Sequence, residues 1–351
     1  MQPPEFFMQR CLQLASLGQG DVAPNPLVGC VIVHNGNSIG EGYHQAFGQA
    51  HAEVNAINSV ADHSLLSEST LYVNLEPCNH HGKTPPCVGL LLEKGIKKVV
   101  IAQQDPNPLV AGQGITLLKN AGVDVKVGIL EKEAKELNKQ FNVFHEKKRP
   151  YVTLKWAETA DGFIAPIASD IDYFKKKNIS GPLTNRWVHK LRAGHQAILV
   201  GATTARLDNP QLNVRHSIGQ NPLRIVLDPQ LRLPHNLHLF DGSSHTLLIH
   251  DLKLKAQQSM HPNIDYAELS YKENFTSQLL DLLFIKNIQS LLVEGGKMVL
   301  ETFLSTGSCE EIIRIISSKK LINGVEAPRM NTSIYSRLSI LDEEVLIYKI
   351  P

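Results

Sequence analysis

The sequence predicts an α/β protein built from two domains. Three observations carry that prediction. The chain has 351 residues, too many for one ordinary core and suited to two. Short apolar runs alternate with amphipathic helical stretches along its length, as in sheets with parallel pairs covered by helices on both faces. A charged helical stretch over residues 131–148 runs into Lys147-Lys148-Arg149-Pro150, where polar residues and a proline mark a break. The domains are therefore placed at residues 1–147 and 148–351.

The elements follow in order. Phe6, Phe7, Cys11, Leu14 and Ala15 fall on one helical face. Residues 28–33 read as an apolar strand, and residues 39–43 pair with it across Asn35-Gly36. A helix covers 51–60, and a strand at 71–75 delivers Glu76-Pro77-Cys78 at its C-terminal end. Helices at 85–94 and 115–121 and strands at 98–102 and 123–127 complete the first domain. The second has strands at 151–155, 197–200, 224–227, 246–249, 290–293, 312–316 and 345–350. Its helices lie at 183–192, 275–285 and 297–304.

His51-Ala52-Glu53, followed by Pro77-Cys78 and then Cys87, is the densest chemistry in the chain. One imidazole and two thiolates suit three positions of a tetrahedral zinc and leave the fourth for water. Zinc lowers the pKa of that water to about 7. Glu53, two residues past the histidine, is placed to move protons without being a ligand. The pattern is that of the zinc deaminases, a His-x-Glu with a downstream Pro-Cys and a further Cys. Their cysteines are commonly two residues apart. Here Asn79-His80-His81-Gly82-Lys83-Thr84-Pro85-Pro86 intervene. Thr84 reads as an N-cap with prolines in the first turn, which puts Cys87 at a helix start that favours its thiolate. His80 or His81 in a fourth position would instead make the zinc structural.

Net charge is +1 at pH 7, which leaves no basic surplus for a nucleic-acid partner. No run of 18 apolar residues occurs, so no membrane partner is expected. Met1-Gln2-Pro3-Pro4-Glu5 lacks the features of a signal peptide. Cys11, Cys30 and Cys309 sit among apolar neighbours and read as small buried hydrophobes. A reduced, cytoplasmic setting is expected. In the second domain Gly201-Ala202-Thr203-Thr204 and Glu294-Gly295-Gly296-Lys297 each follow a strand and open a helix, as phosphate cradles do. No G-x-G-x-x-G is present.

The run from Glu76 through Asn79-His80-His81-Gly82-Lys83 to Cys87 closely resembles the bifunctional deaminase–reductase family of riboflavin biosynthesis. So do Pro24-Asn25-Pro26-Leu27-Val28-Gly29, Gly42-Tyr43-His44 and Gln104-Asp105-Pro106-Asn107-Pro108. The reductase half of that family is resembled by Leu154-Lys155-Trp156-Ala157, Ala160-Asp161-Gly162, Leu191-Arg192-Ala193, Leu207-Asp208-Asn209-Pro210 and Val293-Glu294-Gly295-Gly296. The resemblance implies a cytidine-deaminase-like α/β/α domain with zinc, then a dihydrofolate-reductase-like α/β domain using NADPH. It implies that Asn25, His44, His80 and Lys83 hold the phosphorylated pyrimidine substrate of the deaminase. It places Glu158, Thr204, Asp208 and Gly296 at the NADPH, and Lys155, Arg192, Leu212, Arg215 and Glu294 at the reductase substrate. A homo-oligomer, dimer or tetramer, is expected on the same ground.

One segment departs from the family. A Ser-x-Trp-Ile-Thr-like stretch usually precedes the Leu-Arg-Ala helix. Here Lys175-Lys176-Lys177-Asn178-Ile179-Ser180 stands instead, with Lys176 and Asn178 in place of the serine and tryptophan. The lysine run reads as a solvated surface, with Lys176 the candidate to replace a lost phosphate contact. Two other readings stay open at this point. A nucleic-acid deaminase calls for the short cysteine spacer and a basic face. A zinc-stapled binding module would release no ammonia.

Overall fold

The computed structural model describes residues 2–79, 86–108, 110–253 and 262–350. The chain divides into two compact units, Met1–Lys148 and Arg149–Pro351.

The first unit runs α1 (Pro4–Ser16), β1 (Gly29–His34), β2 (Asn37–Tyr43), α2 (Ala52–Asn58), β3 (Thr70–Leu75), α3 (Cys87–Glu93) and β4 (Lys98–Gln103). It ends with α4 (Gln113–Asn120), β5 (Asp124–Val127), α5 (Glu131–Leu137) and α6 (Lys139–Lys147). Its five strands lie in the order β2-β1-β3-β4-β5. The hairpin and the β1–β3 pair are antiparallel; β3–β4 and β4–β5 are parallel. Alternation along the strands loads both faces. Ile32, Val73, Val99 and Ile101 meet α2, α3 and α4 through Ala56, Leu91 and Leu118. Val31, Val33, Tyr72 and Val100 meet α1 and α5 through Met8, Leu12 and Ala134. The result is the expected α/β/α sandwich.

Gly42 sets how closely α2 lies on the sheet. A Cβ there would stand 2.3 Å from the Ala56 nitrogen, so a side chain would lift the helix that follows His51. Phe7, Cys11, Leu14 and Ala15 are buried as expected, but Phe6 is 55% exposed; its position lies beside the apolar stripe rather than in it. The single helix expected over 131–148 is two. Asn138 breaks it, because its amide is spent on the Leu27 backbone, accepting from the nitrogen at 2.8 Å and donating to the oxygen at 2.9 Å.

The second unit contains β6 (Tyr151–Glu158), β7 (Phe163–Ala165), α7 (Tyr173–Lys176), α8 (Pro182–Ala193), β8 (Ala197–Gly201), α9 (Ala202–Asp208), β9 (Leu223–Leu227) and β10 (Thr246–Asp251). Then come β11 (Ile264–Leu269), α10 (Phe275–Ile285), β12 (Ser290–Val293), α11 (Lys297–Ser305), β13 (Glu311–Ile316), β14 (Val325–Glu326), β15 (Ser336–Ile340) and β16 (Glu343–Lys349). Nine strands follow the order β11-β10-β9-β8-β12-β6-β13-β16-β15. Every pairing from β11 to β13 is parallel; β16 and β15 close the sheet antiparallel. The central strands are apolar on both sides, with Val152, Leu199, Ile225 and Leu291 toward α10 and α11, and Ile198, Val226 and Leu292 toward the opposite face. The sequence pattern missed β7, β11, β14, β15 and α7. These are edge or short elements, and β15 is exposed at Ser336 through Ser339, so no apolar alternation marks it.

Candidate functional site

In the first unit the site is built where β3 and α2 end and begin. His51 is the N-cap of α2, with extended backbone (φ −71°, ψ 164°), rather than part of its first turn. That geometry swings the imidazole away from the helix while Glu53 stays in the first turn. The His51 Nδ1 lies 3.5 Å from the Cys78 sulfur and 3.3 Å from the Cys87 sulfur. Cys87 is the first residue of α3, capped by Pro86; the Thr84 cap expected from the sequence lies outside the described residues. Its backbone nitrogen donates to the Cys78 sulfur at 3.4 Å.

The three donor atoms lie within 4.8 Å of one another. Tetrahedral zinc with bonds of about 2.0 Å to nitrogen and 2.3 Å to sulfur separates such donors by about 3.6 Å. The residues fit the ion in both donor type and spacing. Hydrogen bonds from Cys87 and His51 lower the Cys78 pKa and favour its thiolate. Glu53 is not one of the three donors. It is 3% exposed, and burial pushes its carboxyl up, reinforced by the charge of Cys78.

Asn25 and His44 are brought to the same place. The His44 Nδ1–H donates to the Ala50 oxygen at 3.0 Å, which leaves Nε2 to accept from the Asn25 amide at 3.0 Å. The His44 ring stands edge-on to His51, centroids 5.5 Å apart. Burial, opposed by the Ala50 hydrogen bond, lowers the His44 pKa. His80 and Lys83 lie outside the described residues.

Sequence reasoning quoted Glu76 without giving it a task. The structure shows one. Its buried carboxylate accepts from the backbone nitrogens of Asp105 (3.2 Å), Gly112 (2.9 Å) and Ile115 (3.1 Å). It ties the end of β3 to the start of α4, two residues before Cys78. Gly114 permits this approach, since a Cβ there would lie 2.3 Å from the Pro77 oxygen.

The second unit holds a cavity of about 850 Å³, within the range of small-molecule and cofactor sites. It opens beside the C-terminal ends of β8, β9 and β12, where open parallel sheets bind ligands. Of the residues expected at cofactor and substrate, Lys155, Thr204, Asp208, Glu294 and Gly296 line it. The cofactor test is the glycine turn: a Cβ on Gly296 would meet the Thr204 hydroxyl at 2.9 Å, and Gly295 holds φ +108°. Only bare backbone leaves the turn open to a phosphate, so the residues fit a dinucleotide.

Glu294 is clamped by Arg192, Nε to Oε1 at 2.9 Å and Nη2 to Oε2 at 2.7 Å, with the Lys155 Nζ at 3.5 Å. Burial alone would raise Glu294, but Arg192 and Lys155 outweigh it and hold the carboxyl down at about 2. Burial lowers Lys155, opposed by Glu294. Arg192 and Arg215 converge on Asn213, whose backbone oxygen accepts from Arg192 at 3.4 Å and whose side-chain oxygen accepts from Arg215 at 2.9 Å. Leu212, buried with φ +50°, turns that loop. Arg192, Leu212 and Arg215 stand outside the cavity lining.

Glu158 does not line the cavity either. Its carboxylate accepts from the Trp156 indole at 2.7 Å and pairs with Arg314. A side chain two residues from Trp156 on the same face of β6 is committed to that pair. The lysine run also divides. Lys175 is solvated and Lys176 pairs with Asp170 at 2.9 Å, but Lys177 lines the cavity, its Nζ donating to the Asp208 backbone oxygen at 3.2 Å. Tyr173 donates to the Asp208 carboxylate at 3.0 Å. The expectation that all three lysines are surface groups, with Lys176 the one near phosphate, is corrected: one helical turn carries Lys177 inward from Tyr173.

Comparison with known proteins agrees with both halves. Residues 1–103 match the family model of the cytidine and deoxycytidylate deaminase zinc-binding region, and residues 150–332 match that of the RibD C-terminal domain. The riboflavin biosynthesis protein RibD of Bacillus amyloliquefaciens is 40% identical over 332 residues, covering 93% of this chain and 87% of that protein. RibD of Actinobacillus pleuropneumoniae is 41% identical over 92% of this chain and 85% of its own length. The crystal structure of the Thermotoga maritima diaminohydroxyphosphoribosylaminopyrimidine deaminase/5-amino-6-(5-phosphoribosylamino)uracil reductase superposes with a TM-score of 0.87. It shares 35% identity, with 99% of this chain and 98% of that one covered. Acinetobacter baumannii RibD gives a TM-score of 0.88 at 33% identity over the same shares. Because the likeness spans both units in one continuous order, the chain belongs to the RibD family of riboflavin biosynthesis proteins.

Proposed function

We propose that the chain carries out two consecutive steps of riboflavin biosynthesis. The first unit hydrolyses the exocyclic amine of 2,5-diamino-6-(5-phosphoribosylamino)pyrimidin-4-one. The second reduces the ribosyl group of the product, 5-amino-6-(5-phosphoribosylamino)uracil, to ribityl with NADPH.

The observation that carries the deaminase is the division of labour around His51. Three side chains supply metal donors, and a fourth buried acid, Glu53, is left over. A zinc ion on His51, Cys78 and Cys87 supplies, when bound, a Lewis acid that brings water to a pKa of about 7. Glu53 takes the proton as water adds to the ring carbon bearing the amine. It returns protons to the ring nitrogen and to the departing ammonia. Its burial suits the task, because it raises the carboxyl pKa and so eases both taking and returning a proton. Asn25 and His44 orient the pyrimidine, with His80 and Lys83 assigned to the same substrate on the family resemblance.

In the second unit NADPH supplies the hydride when bound. The glycine turn at Gly295-Gly296, with Thr204 and Asp208, holds the dinucleotide. Lys155 and Glu294 stand where the sugar reacts, and Arg192 keeps Glu294 ionised. Arg215 and Leu212 shape the loop against which the sugar phosphate rests. The family resemblance assigns Glu158 to the cofactor, and its pair with Arg314 holds it beside Trp156, which lines the cavity.

The near-neutral charge of +1 favours free small-molecule substrates over nucleic acid. No described helix is long and apolar enough to cross a membrane. Exposed Ile171, Phe174 and Leu341 fit a homo-oligomer, which light scattering reads. The deciding experiment is incubation with the diaminopyrimidinone, with and without NADPH, and mass analysis of the products. Ammonia and the aminouracil are expected without NADPH, and the ribityl product with it. No mass change in either arm would refute the reading.

A further inference from the structure

The two aromatic residues that open α7 go opposite ways. Phe174 is exposed, whereas Tyr173 is buried and lines the large cavity. The Tyr173 hydroxyl accounts for the difference, since it donates to the Asp208 Oδ1 at 3.0 Å. Burial, then the charge of Asp208, raises the Tyr173 pKa, so the phenol stays protonated and keeps donating. Lys177, one helical turn on, reaches the same residue. Its backbone nitrogen donates to the Tyr173 oxygen at 2.8 Å, and its Nζ to the Asp208 backbone oxygen at 3.2 Å. That oxygen is one of the carbonyls left over at the end of α9. Further along, the segment is tied elsewhere. The Asn178 oxygen accepts from the Lys319 Nζ at 2.7 Å, and the Gly181 nitrogen donates to the Glu343 Oε1 at 2.9 Å. Tyr173 is thus where the middle of the segment meets α9.

We propose that Tyr173 is a positioning residue of the reductase: its hydroxyl fixes the Asp208 carboxylate so that the second oxygen, Oδ2, faces the cavity and accepts from a donor on NADPH. The inference rests on the reductase reading above and gives a task to the segment in which this chain departs from its family. Three arguments support it. An ionised carboxylate only accepts hydrogen bonds. With Oδ1 held by Tyr173, Oδ2 has no partner among the described residues, and Asp208 lines the cavity. Asp208 also needs the hold. It is the last residue of α9, and Asn209 after it turns left-handed with φ 43°. A binding group at such an end stays in place only if a supporting hydrogen bond or close packing locks its rotamer. Lys177 does not supply that lock, because its Nζ stands 3.8 Å from Oδ1 and spends its close bond on the backbone.

The test is NADPH binding by the full chain, read by nicotinamide fluorescence with no turnover. Wild type, Y173F, D208A and the double variant are titrated. Tyr173→Phe keeps the ring in the cavity wall and removes only the hydroxyl. Losing a hydrogen bond to a charged group should raise the Kd for NADPH about tenfold. Asp208→Ala should weaken binding as well. In that background Tyr173→Phe should add nothing, since the group it positions is gone. A tyrosine that only packs gives the other pattern, the same loss with and without Asp208. Ammonia release by the first unit and a cooperative thermal transition check that each protein is folded. If Asp208→Ala does not fold, Asp208→Ser completes the cycle. Wild-type affinity in Y173F would overturn the inference, as would an equal loss in both backgrounds. Either outcome leaves the reductase reading intact. Wild type that binds no NADPH would overturn both.

Discussion

The Arg192 guanidinium grips the Glu294 carboxylate at two points, 2.9 and 2.7 Å, with both side chains almost wholly buried. Lys155 stands on the same carboxylate at 3.5 Å. Two cations on one acid leave a net positive charge beside the cavity, suited to a phosphorylated sugar. The same clamp makes Glu294 a buried contributor to the acid stability of this unit.

Glu294 titrates in the folded chain at about 2, below the ordinary 4.5. A depressed carboxyl contributes stability above its unfolded pKa, and that contribution is lost as pH falls through the folded one. The window therefore runs from about 4.5 down to about 2. Glu294→Gln should cost about 3–5 kcal/mol at pH 7, because it leaves buried cations unpaired. Urea melts at pH 7 and pH 3 check this: the drop between them should be smaller in the variant. An equal drop in both proteins would dismiss Glu294 as the source.

Cys78→Ser and Cys87→Ser should each lose zinc and ammonia release together, since each removes one of three donors. Metal analysis of the purified variants reads it. Full zinc content in both would refute the ligand assignment. NADPH binding should be unaffected.

Glu53→Gln separates ligand from proton carrier. It should keep one zinc per chain and lose deamination by about 10²- to 10⁴-fold. Reduction of pre-formed deaminated substrate should survive. Ammonia release near the wild-type rate would show that Glu53 carries no proton.

Lys177→Met should raise the KM for the sugar-phosphate substrate about tenfold, through loss of a cation that lines the cavity beside Asp208. Lys176→Met should leave it unchanged, because an exposed pair with Asp170 contributes little. The reverse ranking in steady-state kinetics would restore Lys176 to the role expected from the sequence.

A fragment starting at Arg149 should fold and bind NADPH without the zinc unit, since it holds its own nine-stranded sheet and core. Circular dichroism and NADPH titration test this. A fragment with no cooperative thermal transition would argue against an independent second domain.

Much of this was legible in the chain. Strong apolar runs such as residues 197–200 and 290–293 became the central parallel strands β8 and β12, because strands buried on both faces must be apolar throughout. His51, Glu53, Cys78 and Cys87 were legible because their chemistry is local: few residue types bind zinc, and fewer leave an acid over. The weak edge strands β11 and β15 were not, since half-exposed strands carry little apolar signal.

What only the tertiary structure decided is where side chains of similar character go. Sequence patterning assigned Lys175, Lys176 and Lys177 one fate, yet Tyr173 anchors on Asp208 and turns Lys177 alone into the cavity. The family resemblance assigned Glu158 to the cofactor, and only folding shows that Arg314, more than 150 residues away in the chain, pairs with it. It quoted Glu76 without a task, yet three backbone nitrogens from the β4–α4 segment converge on its carboxylate. Residue type fixes what a side chain can do, but a buried charge goes to the partner that satisfies it, and folding brings that partner from far along the chain.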